Sequence, residues 1–260
     1  MDLKLEGRSA LVTGASRGIG LAIARTLASE GVKLKLVARD AARLKAVCDE
    51  LGAVPLAFDL SRPENIGALV AAAGDVDILV NNAGGIPRGT LEEIEGPAWR
   101  QAWDLKVFGY IDLTRAYLAR MKKRGRGVII SVIGAAAELP EPSYVAGCMG
   151  NAALNMLTRC VGADSVRHGV RVVAVNPGPI MTERFMQGMH GRAEQRFGDR
   201  ERWPEILQSD LPIGRAGTAE EVASAVAFLA SDHASYISGA AIRIDAGILG
   251  HMRAASQEKR

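Results

Sequence analysis

Short apolar runs alternate with amphipathic stretches from one end of the chain to the other. The apolar runs are rich in Val, Ile and Leu, and their length and composition predict buried strands of a parallel sheet. They lie at 9–12, 34–38, 54–58, 76–80, 128–133, 170–175 and 241–245. Between them, apolar residues recur at helical spacing, which predicts helices at 21–28, 41–51, 63–73, 97–123, 143–167 and 218–231.

Strands that alternate with helices in this way predict an α/β fold, because parallel strands need crossover connections. We expect one doubly wound, Rossmann-type domain over residues 1–260, with a seven-stranded parallel sheet and helices on both faces. The polar segment 183–211 interrupts the alternation after the sixth strand. We interpret it as a helical substrate lid, since ligands bind at the carboxyl ends of such strands; a surface insertion is the alternative.

The connection between the first strand and the first helix is Thr13-Gly14-Ala15-Ser16-Arg17-Gly18-Ile19-Gly20. Glycine reaches positive φ without strain and lets a ligand approach the backbone. The N–H groups and the dipole at the start of the following helix favour a phosphate. The stretch therefore predicts a pyrophosphate-binding turn, although an ordinary turn that holds three glycines would have the same sequence.

Composition and charge exclude several other functions. Hydrophobic residues make up 48% of the chain and charged residues 23%, and the net charge of +3 gives no support to nucleic-acid or membrane binding. No apolar stretch approaches the ~18 residues of a membrane span, and charged side chains near the N-terminus argue against a signal peptide. The three cysteines lack the spacing of a metal site or disulfide framework. We expect a reduced, cytoplasmic protein without a bound metal.

Four motifs occur in an order that is typical of one family. They are the glycine turn, Asn81-Asn82-Ala83-Gly84 after the fourth strand, Tyr144 at the start of a helix, and Asn176-Pro177-Gly178-Pro179-Ile180-x-Thr182 after the sixth strand. From about Leu5 to Gly250 the chain resembles the short-chain dehydrogenase/reductase family. The resemblance implies a nicotinamide dinucleotide, hydride transfer to or from a carbonyl or alcohol carbon, and a homotetramer or homodimer.

The resemblance also implies which residues hold the cofactor. Those expected around the pyrophosphate and adenosine are Gly14, Ser16, Arg17, Gly18, Ile19, Gly20, Asp59, Leu60, Asn82, Ala83 and Gly84. Asp59 would meet the adenine amino group, and the alternative for this residue is a helix cap. Those expected around the nicotinamide are Pro177, Gly178, Ile180 and Thr182, with the Thr182 hydroxyl toward the carboxamide or phosphate.

Charge at the end of the second strand predicts NADP in preference to NAD. A carboxylate there would bind the ribose 2′-hydroxyl and repel a 2′-phosphate. This chain has Ala38 followed by Arg39, and Arg17 lies in the glycine turn within reach of the same place. Two guanidiniums suit a phosphate, which arginine binds bidentately. The alternative is that both arginines are solvated surface residues, with Asp40 neutralising one of them.

The family's catalytic set is Asn, Ser, Tyr and Lys, and this chain keeps little of it. Tyr144 is in place, but the lysine expected four residues later is Cys148. A cysteine there is either a small packing residue or, beside a cation, a reactive thiol. The asparagine of the preceding helix aligns with Lys106.

The family's serine has no single counterpart in this chain. Counting back from Tyr144 gives Ser131, whereas counting forward along the fifth strand gives Ile133 or Gly134. Loop lengths vary more than strand register, so we expect Ser131 to lie inside the strand.

Lys106 belongs to an otherwise apolar and aromatic helical stripe of Trp99, Trp103, Tyr110 and Leu113. Lysines are rarely buried without a partner. One interpretation is a lysine whose stem packs while its amine reaches water. The interpretation that we favour is that Lys106 supplies the cation that Cys148 lacks, because a poorly hydrated lysine indicates a functional site.

These residues predict an oxidoreductase that reduces a carbonyl with Tyr144 as proton donor. A tyrosine of ordinary pKa, ~10, is neutral near pH 7 and can donate a proton, whereas alcohol oxidation needs the phenolate. We therefore expect a better reductase than dehydrogenase. The expected pocket walls favour a medium-sized apolar or aromatic substrate: Ile86, Pro87, Ala135, Glu138, Leu139, Phe185, Met186 and Met189. The alternative function is a dinucleotide-binding protein without redox turnover.

Overall fold

One parallel sheet runs through the centre of the protein in the computed structural model, which describes residues 2–250. The strands are β1 (Ser9–Thr13), β2 (Lys33–Ala38), β3 (Val54–Ala57), β4 (Ile78–Asn81), β5 (Gly127–Val132), β6 (Val170–Pro177) and β7 (Ala241–Ile244). Their order is β3-β2-β1-β4-β5-β6-β7, and neighbouring strands are parallel. The prediction of a seven-stranded, doubly wound sheet is confirmed.

The helices lie close to the positions that the periodicity predicts. They are α1 (Gly18–Ser29), α2 (Ala41–Leu51), α3 (Pro63–Ala73), α4 (Gly96–Trp103), α5 (Gly109–Arg124), α6 (Val145–Ser165), α7 (Glu183–Phe197), α8 (Trp203–Asp210) and α9 (Ala219–Ala230). Thr218 and Glu221 form a reciprocal capping box at the start of α9. Within residues 2–250, every helix is too short or too polar to cross a membrane.

The long helix predicted over 97–123 is present from Gly96 to Arg124, but a π turn at Asp104–Phe108 interrupts its α-helical hydrogen bonding and divides it into α4 and α5. The apolar residues before and after the π turn keep helical spacing. The hydrophobic pattern therefore gives no sign of the one additional residue that a π turn contains. Wide turns of this kind are frequent at functional sites. This one carries Lys106.

Apolar side chains cover both faces of the sheet and make it a rigid platform. Val12 of β1 belongs to the cluster formed with α1 and α9, whereas its neighbour Leu11 belongs to the cluster formed with α3 and α5. Each fully buried Leu, Ile or Val contributes roughly 1.5–3 kcal/mol. The chain winds outward from β1 to β3 and returns to β4, so the strand order reverses between β1 and β4. The carboxyl ends at this reversal form the crevice where ligands bind in such sheets.

The segment predicted as a lid is helical. It forms α7 and α8, which pack on each other around Met189, Ala193, Ile206 and Leu207. The segment follows β6 directly and thus begins at the carboxyl edge of the sheet. Whether it covers a substrate stays a prediction.

Candidate active site

The glycine turn after β1 has the conformation and close packing that require glycine. Gly14 and Gly18 have positive φ angles of 66° and 55°. A Cβ added to Gly20 would lie 2.2 Å from the Gly14 carbonyl oxygen and 2.4 Å from Nδ2 of Asn82. That Nδ2 donates to the carbonyl oxygen of Thr13 at 2.9 Å and so braces the turn from the end of β4. The turn therefore brings the N-terminus of α1 to the crevice, where its N–H groups can bind a phosphate.

Gly20→Ala is expected to lower NADPH affinity by at least about 10-fold and the free energy of unfolding by roughly 1–3 kcal/mol, because the methyl group has no space. The matched control is Gly67→Ala in α3, where an added Cβ meets no atom within 4 Å. Alanine there is expected to keep or slightly raise stability. NADPH titration by fluorescence and thermal unfolding measure both effects. Equal affinities and melting temperatures for the two variants would contradict the structure of the turn.

Asp59 and Leu60 follow β3 on the expected adenosine side. The Asp59 carboxylate accepts hydrogen bonds from the N–H and the hydroxyl of Ser61, at 3.0 and 2.7 Å. Burial raises the pKa of Asp59, but the Ser61 hydrogen bonds and the Arg39 and Arg62 charges outweigh it and lower the pKa. The N-cap of α3 is Arg62, so Asp59 is not the helix cap. The Leu60 side chain is buried in the core, so only its backbone could face a cofactor.

Arginines gather beside the glycine turn, where they are exposed. Oε2 of Glu183 lies 4.0 Å from Nη1 of Arg17 and 3.6 Å from Nη1 of Arg43. Asp40 caps α2 by accepting the Arg43 N–H at 3.0 Å, so its carboxylate already has a local partner. Sequence reasoning missed Arg43, although its position four residues after Arg39 was a usable signal.

The residues after β6 pack tightly against the end of β7. The N–H of Gly178 donates to the carbonyl oxygen of Ile244 at 2.9 Å. A Cβ on Gly178 would lie 3.0 Å from Cβ of Asp245. Ile180 is buried in the core, where its side chain cannot contact a cofactor directly. The predicted nicotinamide segment therefore offers mainly its backbone to the crevice.

Thr182 connects the lid with the glycine turn. Its hydroxyl oxygen caps α7 by accepting the Phe185 N–H at 3.2 Å. Its methyl group would lie 3.5 Å from a Cβ placed on Gly18. The hydroxyl proton stays free to donate, because the cap uses only the oxygen.

Three side chains in or beside the π turn hydrogen-bond to β5, the residue after it, and α6. The hydrogen bonds run from Lys106 Nζ to the Ile133 oxygen at 2.6 Å, from Tyr110 Oη to the Val132 oxygen at 3.0 Å, and from Trp103 Nε1 to the Ala146 oxygen at 3.0 Å. Two of the acceptors lie at the carboxyl end of β5, and the third lies in the first turn of α6. The aromatic stripe thus positions Lys106 at the carboxyl end of β5.

Lys106 is a partly buried cation. A Cβ on Gly84 would lie 2.9 Å from Cδ of Lys106, so its stem packs against the Asn-Asn-Ala-Gly segment. Desolvation, with a smaller contribution from the Arg184 charge, lowers the pKa of Lys106 to about 8. The amine thus titrates close to neutral pH, which is typical of groups that take part in chemistry.

Tyr144 is the N-cap residue of α6 and folds its ring back over the first turn. A Cβ on Gly147 would lie 2.1 Å from Cζ of Tyr144, so only glycine fits beneath the ring. Burial raises the pKa of the Tyr144 phenol, although the Arg184 and Arg88 charges oppose the increase. Tyr144 is therefore neutral near pH 7.

The Cys148 thiol faces the loop before α6. Its Sγ is 3.4 Å from the carbonyl oxygen of Leu139 and 3.8 Å from that of Glu141, in the loop before the helix. Asn151, about one turn further along α6, meets the end of β5 instead. Nδ2 of Asn151 lies 3.1 Å from a Cβ placed on Gly134, and its Oδ1 is buried without a partner. Sequence reasoning missed Asn151, because it counted only four residues from Tyr144.

Ser131 lies inside β5, paired with Asn81 of β4 and Ala174 of β6, and is buried. This is the place that the strand register predicts. The carboxyl end of β5 is occupied by Ile133 and Gly134, so the serine of the family has no hydroxyl counterpart at that edge.

Arg184 is a second cation that sequence reasoning missed. It is the second residue of α7, and its Nη2 donates to the carbonyl oxygen of Ile86 at 2.7 Å. After desolvation, its charge adds to the lowering of the Lys106 pKa, and it opposes the rise that burial causes in the Tyr144 pKa. Arg184 comes two residues after Thr182, where the last motif ends. That position in the sequence indicates that it lies near the carboxyl edge of the sheet.

Comparison with known proteins decides the family. A family model described as enoyl-(acyl carrier protein) reductase matches residues 14–249. The chain belongs to the short-chain dehydrogenase/reductase family. Galactitol 2-dehydrogenase (L-tagatose-forming) of Cereibacter sphaeroides is 36% identical, over 94% of this chain and 96% of that protein.

Solved structures of short-chain dehydrogenases/reductases superpose over nearly the whole chain. L-sorbose reductase of Gluconobacter frateurii, in complex with NADPH and L-sorbose, has a TM-score of 0.89 and 32% identity, covering 96% of this chain and 99% of that one. A structure described as a short-chain dehydrogenase/reductase family protein has a TM-score of 0.83 and 36% identity, covering 94% and 97%. The predicted family and oxidoreductase class are confirmed, and the alternative without redox turnover gains no support.

Proposed function

We propose that this short-chain dehydrogenase/reductase uses NADPH to reduce a carbonyl group, with the Tyr144 phenol as proton donor. One observation carries the proposal: a neutral phenol, Tyr144, and a cation of depressed pKa, Lys106, lie within the field of one guanidinium, Arg184. An acid whose proton is in place and a cation that can stabilise the resulting oxyanion are the two groups that carbonyl reduction needs from the protein.

The residues present fit a nicotinamide dinucleotide phosphate. The glycine turn presents the N–H groups at the start of α1, and exposed Arg17, Arg39 and Arg43 carry positive charge on this side of the sheet. When bound, NADPH supplies the hydride. The L-sorbose reductase neighbour was solved with NADPH, which supports the same cofactor here.

We propose that the protonation state of Tyr144 makes reduction the favoured direction of the reaction. Burial raises the pKa of its phenol, so the proton needed for carbonyl reduction is present near neutral pH. Alcohol oxidation would need a phenolate, which the same burial disfavours. Lys106 replaces the cation that the family places on the helix of Tyr144, because the Cys148 thiol points to the 139–141 loop.

The proposed substrate is a medium-sized carbonyl compound with an apolar or aromatic body. Phe185 and Met186 of α7 are partly exposed and support such a pocket. Ile86 and Met189, predicted as pocket walls, are instead buried in apolar clusters at 1% and 3% exposure. Their hydrophobicity therefore serves packing and says nothing about the substrate.

We further propose a homotetramer or homodimer in the cytoplasm. Met149 and Met156, about half exposed at 50% and 54%, lie seven residues apart on one face of α6 and support a subunit interface on this helix. Free cysteines at 48, 148 and 160 agree with a reducing compartment. Within residues 2–250, no group of three or more His, Cys, Asp or Glu side chains could hold a metal ion.

Arg39→Ala is expected to raise the KM for NADPH by about 10- to 100-fold, because one charge-assisted contact to the 2′-phosphate is lost. The KM for NADH is expected to change far less, so the preference for NADPH falls. Arg115→Ala is the control, since Arg115 pairs with Asp112 on the surface of α5. A wild type that prefers NADH would refute the assignment of NADP.

The proposed function is tested by NADPH oxidation, followed by absorbance, with a panel of ketones and quinones. The proposal expects turnover with at least one member and faster reduction than oxidation of the matching alcohol near neutral pH. Tight NADPH binding without turnover on any carbonyl would refute it.

A further inference from the structure

We propose that the carbonyl substrate carries a carboxylate and that Arg184 binds it. This inference rests on the proposed carbonyl reductase function and names the class of its substrate. The observation behind it is Arg184, an exposed cation beside Tyr144 for which the described residues supply no carboxylate partner.

Arg184 reaches from the lid to the loop that follows β4. Its Nη2 donates to the Ile86 carbonyl oxygen at 2.7 Å, and its Nη1 would lie 3.4 Å from a Cβ placed on Gly85. This bond holds the guanidinium plane against the backbone and uses one of its five N–H groups. Among the described residues, no carboxylate oxygen lies within 4.0 Å of Arg184. The adjacent carboxylate, Glu183, faces Arg17 and Arg43 on the cofactor side.

The neighbouring charges do not balance Arg184. The Lys106 amine donates to the Ile133 carbonyl oxygen and is likewise without a carboxylate within 4.0 Å among residues 2–250. Arg88 lies with Cζ 5.0 Å from the centre of the Tyr144 ring, and Glu141 pairs with it. Of the two arginines beside the phenol, Arg184 and Arg88, only Arg184 therefore has no carboxylate partner among the described residues. An anion is the ligand that such a site stabilises.

A carboxylate fits this arrangement better than a neutral polar group does. The guanidinium fork of arginine binds the two oxygens of a carboxylate in parallel, which fixes the orientation of the ligand. Arg184 binds the carbonyl oxygen of Ile86, and Ile86 packs in one cluster with Tyr144, so a carboxylate on Arg184 would leave a carbonyl one or two bonds away beside the Tyr144 ring. The geometry therefore points to 2-oxo or 3-oxo acids, with the rest of the substrate along Phe185 and Met186.

The test compares a substrate pair that differs in one charge. Benzoylformate carries a carboxylate next to an aromatic ketone, and methyl benzoylformate has the same ketone and no charge. We expect wild-type protein to favour the acid, and Arg184→Gln to lower the acid-to-ester ratio of kcat/KM by about 10- to 100-fold, mainly through the KM of the acid. Arg196→Gln, on the same helix but paired with Asp210, is the control for loss of one charge.

A binding measurement separates failure of this inference from failure of the reductase function. In the presence of NADP, benzoate is expected to raise the melting temperature of the wild type more than benzamide does, and Arg184→Gln is expected to abolish the difference. If both substrates are turned over and Arg184→Gln leaves the acid-to-ester ratio of kcat/KM unchanged, the carboxylate site is refuted and the reductase function is supported. If benzoate binding depends on Arg184 but no carbonyl compound is turned over, the carboxylate site is supported and the reductase function is refuted.

Discussion

Tyr144→Phe is expected to lower kcat for carbonyl reduction by about 100- to 10,000-fold, the range that a positioned general acid contributes. Phenylalanine keeps the ring over Gly147, where a Cβ would lie 2.1 Å from Cζ of Tyr144, so the first turn of α6 keeps its packing. Only the proton donor is lost. NADPH affinity is therefore expected to stay close to that of the wild type, because the glycine turn is untouched.

The control for this substitution is Tyr236→Phe, since Tyr236 is fully exposed. It tests whether loss of any phenol hydroxyl affects the assay. Steady-state NADPH oxidation and a fluorescence titration of NADPH separate catalysis from binding. A Tyr144→Phe protein that binds NADPH normally and retains more than about a tenth of the wild-type kcat would show that another group supplies the proton.

Lys106→Met is expected to lower kcat by about 100-fold and, at the same time, to make the protein more stable. Folding lowers the pKa of Lys106 from 10.5 to about 8, which corresponds to a cost of about 3 kcal/mol at pH 7. Methionine keeps an apolar stem against Gly84 and loses the hydrogen bond to Ile133, worth about 1 kcal/mol. The net expectation is a gain of about 2 kcal/mol in the free energy of unfolding.

The sign of the pH dependence follows from the lowered pKa. Protonated Lys106 is less stable in the folded state than in the unfolded chain, so its cost is fully present below about pH 8. The cost decreases as the pH rises from about 8 and is absent above 10.5, where the amine is neutral in both states. The stability advantage of Lys106→Met should therefore be largest near neutral pH and vanish toward pH 10.5. Urea unfolding at several pH values measures it.

The pH dependence of activity should also follow the titration of Lys106. Wild-type kcat/KM for reduction is expected to fall as the pH rises through about 8, because Lys106 loses its charge, and this step should be missing in Lys106→Met. Lys123→Met is the matched control, since Lys123 is exposed on α5 and has no buried charge to relieve. If the Lys106→Met protein has the wild-type kcat and shows no gain in stability, Lys106 has only a packing role.

The sheet could be predicted from the sequence because its determinants are local. Runs such as 128–133 and 170–175 are buried on both faces, so hydrophobicity alone indicates strand and burial. The glycine turn was equally accessible, since Gly14, Gly18 and Gly20 are positions where the backbone excludes side chains. These features depend on residue type and spacing, which a sequence states directly.

The catalytic arrangement could not be predicted in the same way, because it depends on which turn of a helix meets the end of a strand. Counting from Tyr144 selected Cys148, yet the turn of α6 that meets the end of β5 carries Asn151. The π turn at Asp104–Phe108 is likewise invisible to periodicity. Arg184 reaches the site from a helix whose packing no sequence pattern specifies.

The central claim, that Tyr144 protonates a carbonyl while NADPH reduces it, is tested most directly by isotope transfer. The protein is incubated with an oxo acid and NADPH that carries deuterium at the transferred position of the nicotinamide, and the product is examined by mass spectrometry. We expect an alcohol with one deuterium on the carbinol carbon from the wild type and at most a trace from Tyr144→Phe. Tight NADPH binding without deuterated alcohol from any carbonyl, or equal amounts from both proteins, would contradict the account.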